Sequence, residues 1–390
     1  MSGDVHVQFC ERLWGKFLWA TLRTFSTNKK DFPDSIAIRK DENNWVAGNR
    51  LIKEIEKVGF SLNTKKTSMQ FKTARQMTTG LIVNEKVNIK REYYKTARSM
   101  CYELFNTGEF YIDEKDISSR DAENNLEEEN KEKGTINQLE GTLSFIYQIK
   151  RPHDTATLGN RRFHPAAITK LYRGFLFYKH FFLIEMPLII CEGKTDILYL
   201  KCALKQLASI YNDFVDINDD GTNYKIKFLN LSKNLRDIFA ISTGTSGLNH
   251  LMEIYEQNIS GFKGVGKLFP VVVIIDNDHG SKEIKNRLKI NQNETFKSFY
   301  HFVENLYLLI IPKIGNKAIE DLFDSKILST KVDGKNFNRE KEINTKKEYG
   351  KIVFAEKVIK PMQQSINFDG FKEVFEGLQL IIEDYQKRNV

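Results

Sequence analysis

Two short segments bring carboxylates together in a pattern suited to phosphate chemistry. The first, Leu188-Ile189-Ile190-Cys191-Glu192-Gly193-Lys194-Thr195-Asp196, is an apolar run that ends at Glu192, with a glycine that permits a tight turn and Asp196 just beyond it. The second is Val271-Val272-Val273-Ile274-Ile275-Asp276-Asn277-Asp278-His279-Gly280. Asp276 and Asp278 are two residues apart, so in extended backbone their side chains point the same way. Carboxylates converging on one edge repel one another unless cations sit among them, and oxygen donors of this kind suit Mg²⁺ or Mn²⁺. Lys194, between Glu192 and Asp196, is the basic group of the first segment. Any one of these acids taken alone serves equally well as a helix cap. Thr243-Gly244-Thr245-Ser246-Gly247 reads either as a phosphate cradle at a helix N-terminus or as a plain tight turn.

The elements that must position these groups follow from hydrophobic periodicity. Short apolar runs at Leu188 to Cys191, Ile238 to Ile241, Val271 to Ile275 and Leu306 to Ile311 read as buried strands. Between them, Thr195 to Ile210, Ser246 to Tyr255 and Lys282 to Leu288 carry helical spacing. Alternation of this kind predicts an α/β fold with a mostly parallel sheet, whose functional groups gather at the strand carboxyl ends. Asp220-Gly221 between two short runs predicts a β-hairpin insertion. Ile136 onward, with Leu139, Leu143, Ile146 and Tyr147, predicts a helix with one apolar stripe. Gly261-Phe262-Lys263-Gly264-Val265-Gly266-Lys267-Leu268 nearly spells a nucleotide-binding P-loop, but Leu268 replaces the metal-ligating hydroxyl and the segment precedes a strand, so ATP binding is not expected.

The 390 residues suffice for two or three domains, and 41% apolar with 28% charged residues excludes a mainly disordered chain. The net charge of +8 permits an anionic partner. From Ser26 to Met100 there are sixteen Lys/Arg against eight Asp/Glu, which places the basic excess in the first third. Asp113 to Glu132 inverts the balance, nine acidic against three basic, and reads as a solvated insertion. Four cysteines at unrelated spacings suggest neither a zinc site nor a disulfide framework and fit a reducing cytoplasm. The most apolar stretch, Phe175 to Cys191, is interrupted by Lys179, His180 and Glu185, so a membrane span is not expected, and Asp4, Glu11, Arg12 and Lys16 interrupt the first twenty residues, so a secretory leader is not expected either.

Glu192-Gly193-x-x-Asp196 followed by a strand ending in Asp-x-Asp-x-Gly resembles the Toprim domain of topoisomerases, primases and OLD-type nucleases, over roughly Pro187 to Leu322. Ala318-Ile319-Glu320-Asp321-Leu322-Phe323 is similar to the acidic segment after the last core strand of OLD-like members. The resemblance implies a Rossmann-like parallel sheet, Glu192 as general acid/base or first metal ligand, Asp276 and Asp278 as Mg²⁺ ligands, Asp196 and Glu320 as ligands of a second metal, and phosphodiester transfer in which two cations about 3.5 to 4 Å apart clamp the attacking and leaving oxygens while Lys194 neutralises developing charge. Upstream, Val58 to Thr67, Gln76-Met77-Thr78-Thr79-Gly80-Leu81-Ile82-Val83-Asn84 and Asn88-Ile89-Lys90-Arg91-Glu92-Tyr93-Tyr94 resemble the palm end and thumb of retron reverse transcriptases, with Thr78-Thr79-Gly80 standing for the family's V-T-G.

The whole resembles fused retron reverse transcriptase-Toprim proteins of antiviral defence. Implied boundaries are 1–23 as a divergent N-terminus, 24–180 as a mainly α-helical palm-end and thumb fragment, and 181–390 as the Toprim domain with a C-terminal extension. The family also contains RNA-directed DNA polymerases, yet their Y-x-D-D hairpin is absent, and Ala20-Thr21-Leu22-Arg23 stands at its place, so the chain as given is not expected to polymerise DNA. For the basic part, Lys65, Lys66, Lys72, Arg75, Lys90, Arg91 and Lys95 can neutralise phosphates, and Tyr93 and Tyr94 can stack on bases or sugars. The expectation is a Mg²⁺-dependent nuclease holding structured RNA or an RNA-DNA product. The alternative is a polymerase-dead fragment that only binds nucleic acid.

Overall fold

Runs of Val, Ile and Leu without alternation require cover on both faces, and they form the parallel part of a five-stranded mixed sheet. Its strands are β1 (Leu188–Cys191), β2 (Lys227–Leu229), β3 (Val271–Asp276), β4 (Tyr300–Val303) and β5 (Leu306–Ile311), in the spatial order β2-β1-β3-β5-β4. β1 pairs parallel to β2 and β3, and β3 pairs parallel to β5. Only the edge strand β4 runs antiparallel, beside β5. The computed structural model describes residues 6–7, 37–39, 45–63, 69–70, 75–113, 131–289, 299–311, 318–340 and 342–388.

The chain divides into two compact units, 1–98 with 144–154, and 99–143 with 155–390. Segment 155–180, grouped by sequence with the thumb, thus belongs to the second unit. Three buried arginines give the physical reason. Arg173 donates from Nε to Ile238 O at 3.1 Å and from its two terminal nitrogens to Arg162 O at 2.7 Å and Arg161 O at 2.8 Å. Arg161 pairs with Asp237 at 2.9 Å, and Arg162 donates to Ala240 O at 3.1 Å. Burying a guanidinium is costly unless most of its donors find acceptors, and these bonds, which leave only Arg161 Nε buried and unpaired among the described contacts of the three, tie the segment to 237–240.

Within the second unit, one sheet face meets Tyr199 and Leu200 of helix Lys194–Gln206 and Phe371, Phe375 and Leu378 near and in helix Lys372–Arg388. Helix Gly244–Ile259 packs against β3, and its Tyr255 meets Phe177 and Phe181 in an aromatic cluster with Phe239. All six residues of β5 are buried.

Two sequence expectations change. Ile238 to Ile241, read as a strand, closes helix Lys233–Phe239, whose N-cap Ser232 accepts from Leu235 N–H and whose end is Ala240 in the left-handed region at φ 55°. A four-residue apolar run does not distinguish a buried strand from a buried helical turn. The missing sheet strand is instead β2. The Asp220-Gly221 turn does form a hairpin, Val215–Asn218 with Gly221–Tyr224, but as a separate two-stranded ribbon.

The P-loop-like segment is also explained. A Cβ on Gly266 would stand 2.2 Å from the Phe182 ring, and one on Gly264 3.2 Å from the Gly108 backbone nitrogen. These glycines serve close packing, and β3 follows where a P-loop would open a helix.

The first unit contains helix Asn49–Lys57 and an antiparallel ladder of Met77–Thr78, Leu81–Ile82 and Asn88–Ile89. Thr79 and Gly80 join the first pair with φ of 47° and 83°, the left-handed pair that two-residue hairpin loops of the primed type use. Helices Arg91–Thr107 and Ile136–Lys150 contribute residues to both units. Residues 114–130 of the acidic insertion lie outside the described residues, as do most of 1–36. No helix among the described residues is long and apolar enough to cross a membrane.

Candidate active site

The carboxyl ends of β1 and β3 bring four of the expected residues into one electrostatic neighbourhood. Glu192 follows β1 directly and is exposed, and its Oε2 accepts from the Thr245 hydroxyl at 2.6 Å. Gly244 adopts φ 69°, and a Cβ there would sit 3.2 Å from Glu192 Oε1. Gly247 is obligatory for another reason, since its Cβ would lie 2.2 Å from Ser242 O. The N-cap Thr243 and first turn of helix Gly244–Ile259 therefore hold Glu192, and the pocket of about 10 Å³ there, lined by Glu192, Arg236, Ser242 and Gly244, has the volume of one water.

Asp196 lies in the first turn of helix Lys194–Gln206 and is buried at 8% exposure. It accepts from Gly193 N–H at 2.9 Å and from the Thr195 hydroxyl at 3.2 Å. Burial pushes its carboxyl up to about 6, opposed by the Gly193 N–H and assisted by the Glu320 charge. Asp276 ends β3 and accepts from Ile319 N–H at 2.9 Å. Its carboxyl is pushed up to about 8, first by burial and then by the charges of Asp196 and Glu320.

Glu320 is 1% exposed, deeper than any other acid of the set. Lys351 lies 3.0 Å from its Oε1 and donates to its Oε2 at 3.1 Å, which leaves Oε1 with the cation nearby but no aligned hydrogen bond. Burial alone lowers the Lys351 ammonium, yet Glu320, Asp276 and Asp196 outweigh it and the shift is upward. Lys351 is the residue that sequence reasoning missed. It opens a short helix after Gly350, far along the chain from either motif, with no local signal in the sequence.

The two remaining members stand apart. Asp278 lies past the end of β3. It caps the turn His279–Ser281 by accepting from Gly280 N–H at 2.9 Å, and the groups acting on Asp276 are Asp196, Glu320 and Lys351. The strand ends at Asp276, so the alternation that aligns residues two apart stops there. Lys194 is exposed and has no ion pair with a described residue. Among the described residues no three His, Cys, Asp or Glu side chains stand close enough as they are to enclose a metal ion. The acids are all oxygen donors of the kind that suits a hard divalent cation, they act on one another electrostatically, and one buried Glu320 oxygen has no hydrogen bond.

Of the expected nucleic-acid contacts, Lys65, Lys66 and Lys72 lie outside the described residues. Arg75, Lys90, Arg91 and Tyr94 line one pocket of the first unit with Lys150. Tyr93 is exposed and meets the Phe145 ring edge-on at 6.1 Å. Lys95 is exposed on the same helix.

Thr245→Val is expected to lower any Glu192-dependent turnover by about 10- to 100-fold, the range found for outer-sphere partners that orient a reacting group. Thr245→Ser should restore it, with melting temperatures compared throughout. Equal activity of the valine variant would show that the hydrogen bond positions nothing of consequence. No protein-family model and no solved structure matches the chain.

Proposed function

We propose that this chain is a metal-dependent nuclease that cleaves phosphodiester bonds in nucleic acid, with a Toprim-type centre in the second unit and a basic, strand-binding first unit. The observation that carries this reading is the gathering of Asp196, Asp276 and Glu320 around Lys351 beside a Glu192 held by Thr245. Isolated helix caps would not be driven into a shared low-dielectric cluster, because burying several carboxylates together is costly unless a cation relieves them.

The residues that would hold Mg²⁺ or Mn²⁺ are Asp196, Asp276 and Glu320, with Glu192 and Asp278 as the further carboxylates of the two motifs. When bound, the metal supplies Lewis-acid stabilisation of charge on the scissile phosphate. Glu192 is exposed and oriented, as a residue exchanging a proton with the attacking or leaving oxygen must be. Lys351 holds a positive charge against the acids, and the exposed ammonium of Lys194 supplies a second one to substrate. The resemblance to retron reverse transcriptase-Toprim proteins supports a role in antiviral defence with an RNA or RNA-DNA partner. Polymerisation is outside the proposal, because no Y-x-D-D occurs in the sequence.

A second reading, a nucleic-acid-binding module without catalysis, is favoured by one observation: the Lys351 ammonium already neutralises part of the cluster. Incubation of the purified chain with end-labelled DNA and RNA, single- and double-stranded, with Mg²⁺, with Mn²⁺ and with EDTA separates the two. Metal-dependent cleavage supports the nuclease. Binding of the same strands without cleavage in either metal selects the module. In both readings affinity falls with salt at a log-log slope of about −0.9 per neutralised duplex phosphate, and a salt-independent affinity would rule out phosphate contacts by Lys90 and Arg91.

A further inference from the structure

A concave pocket of about 290 Å³ lies entirely within the first unit, bounded by Arg75, Asn88, Lys90, Arg91, Tyr94 and Lys150. Its volume is at the lower end of the range for small-ligand sites, which suits one nucleotide-sized group. Four of these six side chains are cationic, and no carboxylate lines the pocket among the described residues. The Lys150 ammonium stands 5.7 Å from the centre of the Tyr94 ring, so a cation and an aromatic wall share one side of the cavity. Helix Arg91–Thr107 begins at Arg91, one of the lining residues.

Charge decides what such a pocket holds best. An internal phosphodiester carries one negative charge, and a groove tracking a strand spreads its cations along successive phosphates. A terminal phosphate monoester carries about −1.5 to −2 near neutral pH and presents three acceptor oxygens at one point. Four cations lining one half-open pocket, with no carboxylate among its lining residues, match the second case better than the first. The inference rests on the nucleic-acid reading above and sharpens it.

We infer that the pocket formed by Arg75, Lys90, Arg91, Tyr94 and Lys150 receives the terminal phosphate of a nucleic-acid strand, with Tyr94 offering an aromatic wall to the end nucleotide. Asn88 and the apolar Ile82 and Ile89 complete the lining and supply no charge, so recognition is of the phosphate and is tolerant of base identity.

The test uses the full chain in EDTA, where cleavage does not interfere, and fluorescence anisotropy with one oligonucleotide sequence carrying a 5′-phosphate, a 3′-phosphate or neither. One phosphorylated end should bind about tenfold more tightly than the unphosphorylated strand, a difference of about 1.4 kcal/mol, and the two phosphorylated strands tell which end is received. Lys150→Met, which keeps much of the apolar stem, should erase most of that preference, and Arg75→Ala provides an independent second variant at the pocket wall. Melting curves establish that each variant is folded. Equal affinity of the wild type for all three strands overturns the inference and leaves the nucleic-acid reading standing. Failure of every strand to bind overturns both.

Discussion

Glu192→Gln is expected to reduce metal-dependent cleavage by at least about a hundredfold, the lower end of what a positioned proton-transfer group contributes, with the melting temperature essentially unchanged. The side chain is exposed, so little packing is lost, and the amide oxygen of glutamine can still accept the Thr245 hydroxyl that lies 2.6 Å from the native carboxylate. What disappears is the charge and the ability to carry a proton. The substitution therefore separates chemistry from architecture more cleanly than alanine would. Cleavage at the wild-type rate in Mg²⁺ would remove Glu192 from the mechanism and leave Asp196, Asp276 and Glu320 without a partner in proton transfer.

The second large effect concerns Asp276 and pH. Its folded carboxyl is pushed up to about 8, by burial first and then by Asp196 and Glu320, and that of Asp196 to about 6. An unfolded aspartate titrates near 3.9. Between these values the folded state retains protons that the unfolded chain has released. Stability contributed by these groups is thus fully present below about pH 4, falls as pH rises, and is lost once pH passes the folded value near 8. Each extra proton held by the folded state gives a slope of at most about 1.4 kcal/mol per pH unit.

Asp276→Asn removes one titrating group while keeping an oxygen for the Ile319 N–H. The metal-free melting temperatures of variant and wild type should coincide near pH 4 and diverge as pH rises, the variant being the more stable by several degrees at pH 8. Mg²⁺ should raise the wild-type melting temperature at pH 8, since a ligand of the folded state alone adds about 2.7 kcal/mol at a hundredfold excess over Kd. The response should be weaker in the variant. Parallel pH profiles and identical metal responses would mark Asp276 as a structural cap, because asparagine caps about as well as aspartate.

Much of the sheet was legible because its strands are unbroken runs of Val, Ile and Leu bounded by turn residues. β1, β3 and β5 form where periodicity places them, and helices Lys194–Gln206 and Gly244–Ile259 occupy the intervening amphipathic stretches. Glu192, Asp196 and Asp276 were legible as acids at strand ends because the chain itself fixes their distance from the strand. The same local logic misled at Ile238 to Ile241, where only Ser232 capping and burial around Arg173 decide for a helix. Asp278 lies past the end of the strand, where it caps the next turn.

What the chain could not specify locally was decided by packing over long separations. Lys351 reaches Glu320 from a helix thirty-one residues further on, so no motif spacing could have joined them. The raised carboxyls of Asp196 and Asp276 likewise exist only because the fold buries them beside Glu320. Sequence by itself determined which residue types stand at the ends of which strands, since that depends on neighbours in the chain. Tertiary structure decided which of them share one low-dielectric cluster and which cation answers them, because electrostatic coupling depends on distance in space and on the solvent excluded between groups.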